Sequence, residues 1–241
     1  MTLLLLAGTG EAQQIARELA AHGADAVVSF AGESRLSKEF GLPVRVGGFG
    51  GDDGFRSYLG AQGISAVLDA THPFAARVTD RTARICRALA IPYCRVLRPG
   101  WTPAPGDQWV MIGDEAEAAA HIAPGSTVFL ATGRQTLGRY ANLAQCRLIC
   151  RQIDPPDREF PFENGYFLVG TPPFSVAQEK ALFAELGVDW LVVRNAGGAA
   201  SATKLTAARE LGLPVAMISR PPEPDAPRVR TVEAALEWVA G

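Results

Sequence analysis

The sequence predicts an α/β protein of two Rossmann-like lobes, with mainly parallel sheets and an interdomain cleft. Three observations carry this. Short apolar runs alternate with longer stretches of helical period, the pattern of βα units. A Gly8-Thr9-Gly10 turn stands between the first apolar run and the first helical stretch, where an open α/β sheet places a phosphate loop. The third observation is an internal repeat. Ile91-Pro92-Tyr93 and Leu213-Pro214-Val215 each open an apolar run after a helix, and Arg98-Pro99 and Arg220-Pro221 each close one. A loop and a short acidic helix follow both copies. The repeat puts a boundary near Pro124-Gly125, giving an N-terminal dinucleotide-binding domain over 1–124 and a C-terminal substrate domain over 125–241.

Taken in order, residues 3–7 form a first strand. Residues 11–22 form a helix with Ile15, Ala16, Leu19 and Ala20 on one face. Strands follow at 26–30 and 43–46, then a helix at 53–62, a strand at 66–68, a long helix at 74–89 and a strand at 93–96. Prolines and glycines between Pro99 and Gly106 mark a loop, and 114–122 reads as the acidic helix. The second half gives a strand at 127–131, a helix from Arg134 and a strand at 147–151. After a loop at 154–157 come a helix at 175–186, a strand at 190–193, a helix at 201–211, a strand at 215–218 and a closing helix at 232–239.

The composition suits such a fold. Of 241 residues, 48% are hydrophobic and 20% charged, enough for substantial cores. A net charge of -2 gives no reason to expect nucleic acid or an anionic membrane as a partner. The apolar start Met1 to Ala7 lacks a basic flank, and no apolar run approaches the roughly 20 residues of a spanning helix. The expected compartment is the cytoplasm. Cys86, Cys94, Cys146 and Cys150 include no C-x-x-C pair; they read as buried, reduced thiols, with no metal site.

The chemistry is concentrated in strand-to-helix turns. Gly8-Thr9-Gly10-Glu11-Ala12 offers tight backbone and free amides to an anion, although Gln13 stands where the fingerprint has its last glycine. Two-glycine turns also occur in βα units that bind nothing. After the second strand, Gly32 leads to Glu33, Ser34 and Arg35. Glu33 would suit a ribose 2′-hydroxyl, whereas Ser34 and Arg35 offer a hydroxyl and a fixed cation to a 2′-phosphate, so NADPH is the expected cofactor. Asp69-Ala70-Thr71-His72-Pro73-Phe74-Ala75 follows a strand and opens a helix. Thr71 is placed to cap that helix, and His72 to contact cofactor or substrate.

In the second half, Thr132-Gly133-Arg134-Gln135, Gly170-Thr171-Pro172-Pro173-Phe174 and Arg194-Asn195-Ala196-Gly197-Gly198 with Ser201, Thr203 and Lys204 occupy equivalent turns. Their cations would face a substrate bearing several carboxylates or phosphates. The expected substrate contacts are Arg134, Gln135, Thr171, Phe174, Asn195, Gly198, Ser201, Thr203 and Lys204. Solvated surface charge is the alternative for Arg134, Arg194 and Lys204.

Together these motifs resemble the precorrin-6A reductase family of cobalamin biosynthesis, over nearly the whole chain. The most specific carriers are Asp69-Ala70-Thr71-His72-Pro73-Phe74 and the run from Asn195-Ala196-Gly197-Gly198 through Lys204-Leu205 to Arg220-Pro221. Arg194 and Ala196 depart from the family pattern, where lysine and serine are expected. The resemblance implies NADPH-dependent reduction of one double bond of the macrocycle precorrin-6A to precorrin-6B. It also implies a carboxylate-rich tetrapyrrole to meet the second-lobe cations, and transient contact with neighbouring enzymes of the pathway. Lys204, His72 and bulk water are the candidate proton donors.

Rival readings are another NADP-dependent reductase, a nucleotide-sugar-type transferase and a non-catalytic NADP(H)-binding protein. A short-chain dehydrogenase is disfavoured. It needs Tyr-x-x-x-Lys, but Tyr58, Tyr93, Tyr140 and Tyr166 are followed four places on by Gln62, Leu97, Ala144 and Gly170.

Overall fold

The computed structural model describes residues 1–32 and 41–241. Contacts divide it into two compact units, one of Met1–Pro99 with Pro221–Gly241, the other of Gly100–Arg220. The first unit contains β1 (Thr2–Ala7), α1 (Gly10–Ala21), β2 (Ala26–Phe30), β3 (Val44–Val46), α2 (Gly51–Ala61), β4 (Ile64–Ala70), α3 (Ala76–Ala88) and β5 (Tyr93–Val96). The second contains β6 (Trp109–Ile112), β7 (Thr127–Leu130), β8 (Arg147–Gln152), β9 (Gly165–Val169), α4 (Val176–Leu186), β10 (Trp190–Arg194), α5 (Thr203–Leu211) and β11 (Val215–Ile218). The chain then returns to the first unit with β12 (Arg228–Val229) and α6 (Val232–Ala240).

Each unit has one six-stranded sheet, and the strand pairs are parallel. The first runs β3-β2-β1-β4-β5-β12 and the second β9-β8-β7-β10-β11-β6. Strand order therefore reverses direction between β1 and β4 in one unit and between β7 and β10 in the other. Those are the switch points where open α/β sheets hold ligands. The sixth strand of the first sheet comes from beyond a junction, and that of the second is the first strand after one. β6 follows β5 in the chain yet pairs with β11, and β12 follows β11 yet pairs with β5.

This exchange corrects the boundary expected near Pro124-Gly125, which falls inside the second unit. Hydrogen bonding of β6 to β11 and of β12 to β5 overrides sequence order. The junctions lie instead at the two Arg-Pro pairs of the repeat, Arg98-Pro99 and Arg220-Pro221.

The unbroken apolar run of β1 reflects burial on both faces. Leu3, Leu5 and Ala7 pack on one side with Ile15, Ala16 and Leu19 of α1 and Ala235 of α6. Leu4 and Leu6 pack on the other with Phe55 and Leu59 of α2 and Ala83 and Cys86 of α3. In the second unit, Phe129, Ile149, Leu191 and Val193 meet Phe183 of α4 and Leu205 of α5. Burying each such side chain contributes about 1.5–3 kcal/mol. Ser175 and Gln178 form a reciprocal capping box at the start of α4, which satisfies two backbone donors that a helix start leaves open.

Three expectations change. The strands β6 and β12 lie in stretches read as loop and β9 in one given no element, and all three are edge strands. Segments 114–122 and the one beginning at Arg134 are 3-10 helices, Ala116–Ala120 and Arg134–Leu143, the latter broken at Tyr140. The buried Tyr140 hydroxyl lies 3.2 Å from Thr132 Oγ1, which fixes the turn at that kink. Finally, α3 begins at Ala76 with Ala75 before it, and no side chain caps it. Thr71 is engaged elsewhere. No helix among the described residues is long and apolar enough to cross a membrane.

Candidate functional site

At the β1–β4 switch point, Thr9 joins the two strand ends. Its Oγ1 donates to Ala70 O (2.9 Å) and accepts from Ala12 N (3.2 Å), so one hydroxyl caps α1 and ties the glycine turn to β4. Gly8 lies beside the β4 end: a Cβ there would stand 3.5 Å from His72 N and 3.6 Å from Thr71 Cα. A Cβ on Gly10 would meet nothing within 4 Å, so the space above the helix start is open. The amides of Gly10 and Glu11 precede the first intrahelical bonds, and the positive helix end adds to them. Backbone donors beside an open space fit a pyrophosphate.

The missing third glycine has a structural reason. Close packing of α1 on the sheet falls to Ala12 and Ala16, both buried, while Gln13 is only half-buried. Glu11, expected near the cofactor, places its carboxylate 2.6 Å from Arg98 Nη1. Arg98, just before the junction, thereby braces the first turn of α1. Gly32 is exposed at the end of β2. Glu33, Ser34 and Arg35 lie outside the described residues.

The Asp69 turn is built on a buried carboxylate. Asp69 accepts from Thr71 N (3.0 Å), Thr71 Oγ1 (2.7 Å), Thr79 Oγ1 (3.0 Å) and the Tyr93 hydroxyl (2.9 Å). Arg95 Nη1 is 3.4 Å away, and Arg95 Nε faces Glu223 Oε2 at 2.9 Å. Burial and the Asp69 charge push the Tyr93 hydroxyl well above its ordinary pKa, keeping it a donor. Asp69 is thus a positioning group: it fixes the backbone on which Thr71 and His72 stand. Phe74 N donates to His72 Nδ1 (3.2 Å), which leaves Nε2 as the ring's N–H.

In the second unit the structure separates the expected substrate contacts. Asn195 clamps the Trp101 backbone, with Oδ1 accepting from its N (2.7 Å) and Nδ2 donating to its O (3.0 Å). Gly198, at φ 91°, turns its carbonyl to Trp101 Nε1 (3.0 Å). Both therefore shape a loop. Arg220 Nε and Nη2 hold the carbonyls of Asn195 (2.7 Å) and Ala196 (3.0 Å), so each repeated Arg-Pro pair steadies a turn at the ligand edge of its own unit. Arg134 pairs with Asp157 at 2.8 Å, and Gln135 and Thr171 are exposed. Arg194 donates to Glu115 (2.8 Å) and Thr136 (2.7 Å). Burial pushes the Glu115 carboxyl up, but the hydrogen bonds from Arg194 and Thr136 prevail and hold it below the usual range.

Phe174, Ser201, Thr203 and Lys204 come together around a cavity of ≈ 170 Å³ that Arg151, Gln152 and Glu179 also line. Arg151 and Glu179 form a bidentate pair (2.7 and 2.8 Å) with side chains 9% and 1% exposed. Arg151 also stacks on Phe174, 4.4 Å from the ring centre. Lys204 Nζ donates to Ser201 O (2.6 Å) and has no carboxylate partner among the described residues. Burial first, then the Arg151 charge, lower its pKa to about 8. Sequence reasoning missed Arg151, Gln152 and Glu179, because their burial depends on how β8 and α4 pack, and no local pattern marks it.

The family model described as Precorrin-6x reductase CbiJ/CobK matches residues 2–240. A "Precorrin-6A reductase" of Rhodococcus erythropolis is 42% identical over 240 residues, 98% of this chain and 96% of that protein. A "Cobalt-precorrin-6A reductase" of Priestia megaterium is 28% identical over 91% of this chain and 90% of that protein. Among solved structures, "CobK precorrin-6A reductase" superposes with a TM-score of 0.93 at 38% identity, covering 100% of this chain and 97% of that one. A match of that extent, together with two switch points of the expected kind, means that the chain belongs to the Precorrin-6x reductase CbiJ/CobK family.

Proposed function

We propose that this chain reduces one double bond of precorrin-6A to give precorrin-6B, with NADPH bound at the β1–β4 switch point of the first unit. The observation that carries the cofactor site is the Gly8-Thr9-Gly10 turn, pinned by Thr9 to the end of β4 with open space above Gly10. Ser34 and Arg35, next along from β2, favour the 2′-phosphate of NADPH over the bare ribose of NADH. Bound NADPH supplies the hydride, which adds to an electron-poor carbon of the conjugated ring while a proton reaches the neighbouring carbon.

The protein's part is to bind and to orient, with the proton drawn from solvent. His72 is proposed to orient the macrocycle through Nε2–H, because Phe74 N occupies Nδ1 and Asp69 fixes its turn; with that ring neutral, loss of Nε2–H would leave an imidazolate, so bulk water supplies the proton. Lys204 is assigned to substrate binding, since a cavity of ≈ 170 Å³ is far below the roughly 300–1,000 Å³ that encloses a drug-sized ligand. The metal-free macrocycle is the proposed substrate, given the greater likeness to the relative named for it, 42% against 28%.

Anaerobic incubation with precorrin-6A and NADPH tests the reading, following cofactor absorbance and product mass. NADPH oxidation matched by formation of precorrin-6B is expected. Absence of turnover with both the metal-free and the cobalt-bound macrocycle would rule it out.

A further inference from the structure

Gln152 is the last residue of β8, at the ligand edge of the second sheet, and is nine-tenths buried at 9% exposure. Neither Oε1 nor Nε2 of its side chain has a hydrogen-bond partner, and both are shielded from water. A buried amide left in that state costs about 1–3 kcal/mol, and native proteins seldom carry one without a reason. The same side chain lines the cavity that Lys204 enters. The torsion that turns a glutamine amide is soft, so rotation presents Nε2 to a group arriving there.

The charges around the cavity choose the ligand's sign. Arg151 and Glu179 cancel through their bidentate pair, while Lys204 has no carboxylate in ion-pair contact among the described residues. One net positive charge beside an unsatisfied amide donor calls for an anion. The volume limits its size, since a cavity of about 150 Å³ holds a benzene-sized group. The stem of such a ligand would run past the Phe174 ring, which already stacks on Arg151.

We infer that Gln152 and Lys204 form a subsite for one short carboxylate-bearing side chain of the substrate, Nε2 and Nζ each donating to the carboxylate. This rests on the proposed reduction of a carboxylate-rich macrocycle and adds to it a residue that determines which side chain is seated and in what register. The ring stays outside the cavity, so the subsite acts on binding and leaves the chemical step alone.

The test has two arms. In steady-state kinetics, Gln152→Leu should raise KM for precorrin-6A about tenfold, the loss of a hydrogen bond to a charged group. Its kcat and its KM for NADPH should stay unchanged, and its Tm should not fall. An unchanged KM for precorrin-6A would overturn the inference. In the second arm sodium propionate is titrated into the 15N-labelled protein, and the Gln152 side-chain amide signals should shift saturably, an effect that Lys204→Met removes. No shift, or the same shift in Lys204→Met, would also overturn it. Should the wild-type protein fail to turn over precorrin-6A at all, the functional reading falls while the propionate arm still decides the subsite. If Gln152→Leu does not fold, Lys204→Met and the propionate titration carry the decision.

Discussion

Three cationic side chains read alike in the sequence have different fates in the structure. Arg134 and Arg194 have acidic partners, whereas half-buried Lys204 has no carboxylate partner among the described residues, and burial lowers its pKa to about 8 from the usual 10.5. The sign of the linkage follows. Below about pH 8 the folded state holds a charged amine that burial disfavours, and the unfolded state holds it freely. Between about 8 and 10.5 the folded protein releases that proton before the unfolded chain does, so wild-type stability rises there. Lys204→Met should therefore be more stable than wild type at pH 7 in urea denaturation, and its advantage should shrink as pH climbs through that window. A margin that does not change with pH would contradict the burial of Lys204. Arg35 tests the other ligand. Arg35→Ala should weaken NADPH binding much more than NADH binding in a fluorescence titration, and equal losses would remove the argument for the 2′-phosphate. Of the candidate site, the turns were legible because glycine, threonine and proline at strand ends have local meanings. Partner choice was not. Nothing in the string Asp69-Ala70-Thr71-His72 says that Asp69 is engaged by Thr79, Tyr93 and Arg95, or that Asn195 serves the Trp101 backbone.

Among elements, interior strands such as β1, β4, β7 and β10 were readable because both faces are buried and the run is continuously apolar. Edge strands were not. β6 and β9 keep several half-exposed positions and β12 is two residues long, so neither length nor periodicity marks them. Their effect is nonetheless large, since β6 completes the second sheet and β12 completes the first from beyond a junction. α6 follows β12 and buries Ala235 among Ile15, Leu19 and the β1 leucines, with Leu236 and Val239 packed alongside. Deleting residues 221–241 should therefore cost the first unit its cooperative unfolding transition and leave the second unit's intact. Calorimetry with limited proteolysis reads this directly: the fragments that persist should come from 100–220. Two transitions like those of the full chain would contradict the exchange of strands.

For the whole molecule, the repeat of helix, proline-led strand and Arg-Pro was visible in the sequence, and it marks the junctions at Pro99–Gly100 and Arg220–Pro221. Placing the boundary at Pro124 treated the repeat as two lobes in series. Instead β6 already belongs to the second sheet and β12 returns to the first, pairings decided by hydrogen bonds between strands far apart in the chain. Each unit carries one switch point, and the functional account gives them different work: phosphate-binding amides in the first, a cationic subsite in the second. In the proposed reaction hydride passes from NADPH to the macrocycle and a separate proton comes from solvent. The most direct measurement is a single turnover of precorrin-6A with NADPH deuterated at the transferred position of nicotinamide C4, read by mass spectrometry of the product. The expected product is precorrin-6B carrying one deuterium from the cofactor and a second hydrogen drawn from solvent. A reduced product with no deuterium from the cofactor, or NADPH left unoxidised while substrate persists, would contradict it.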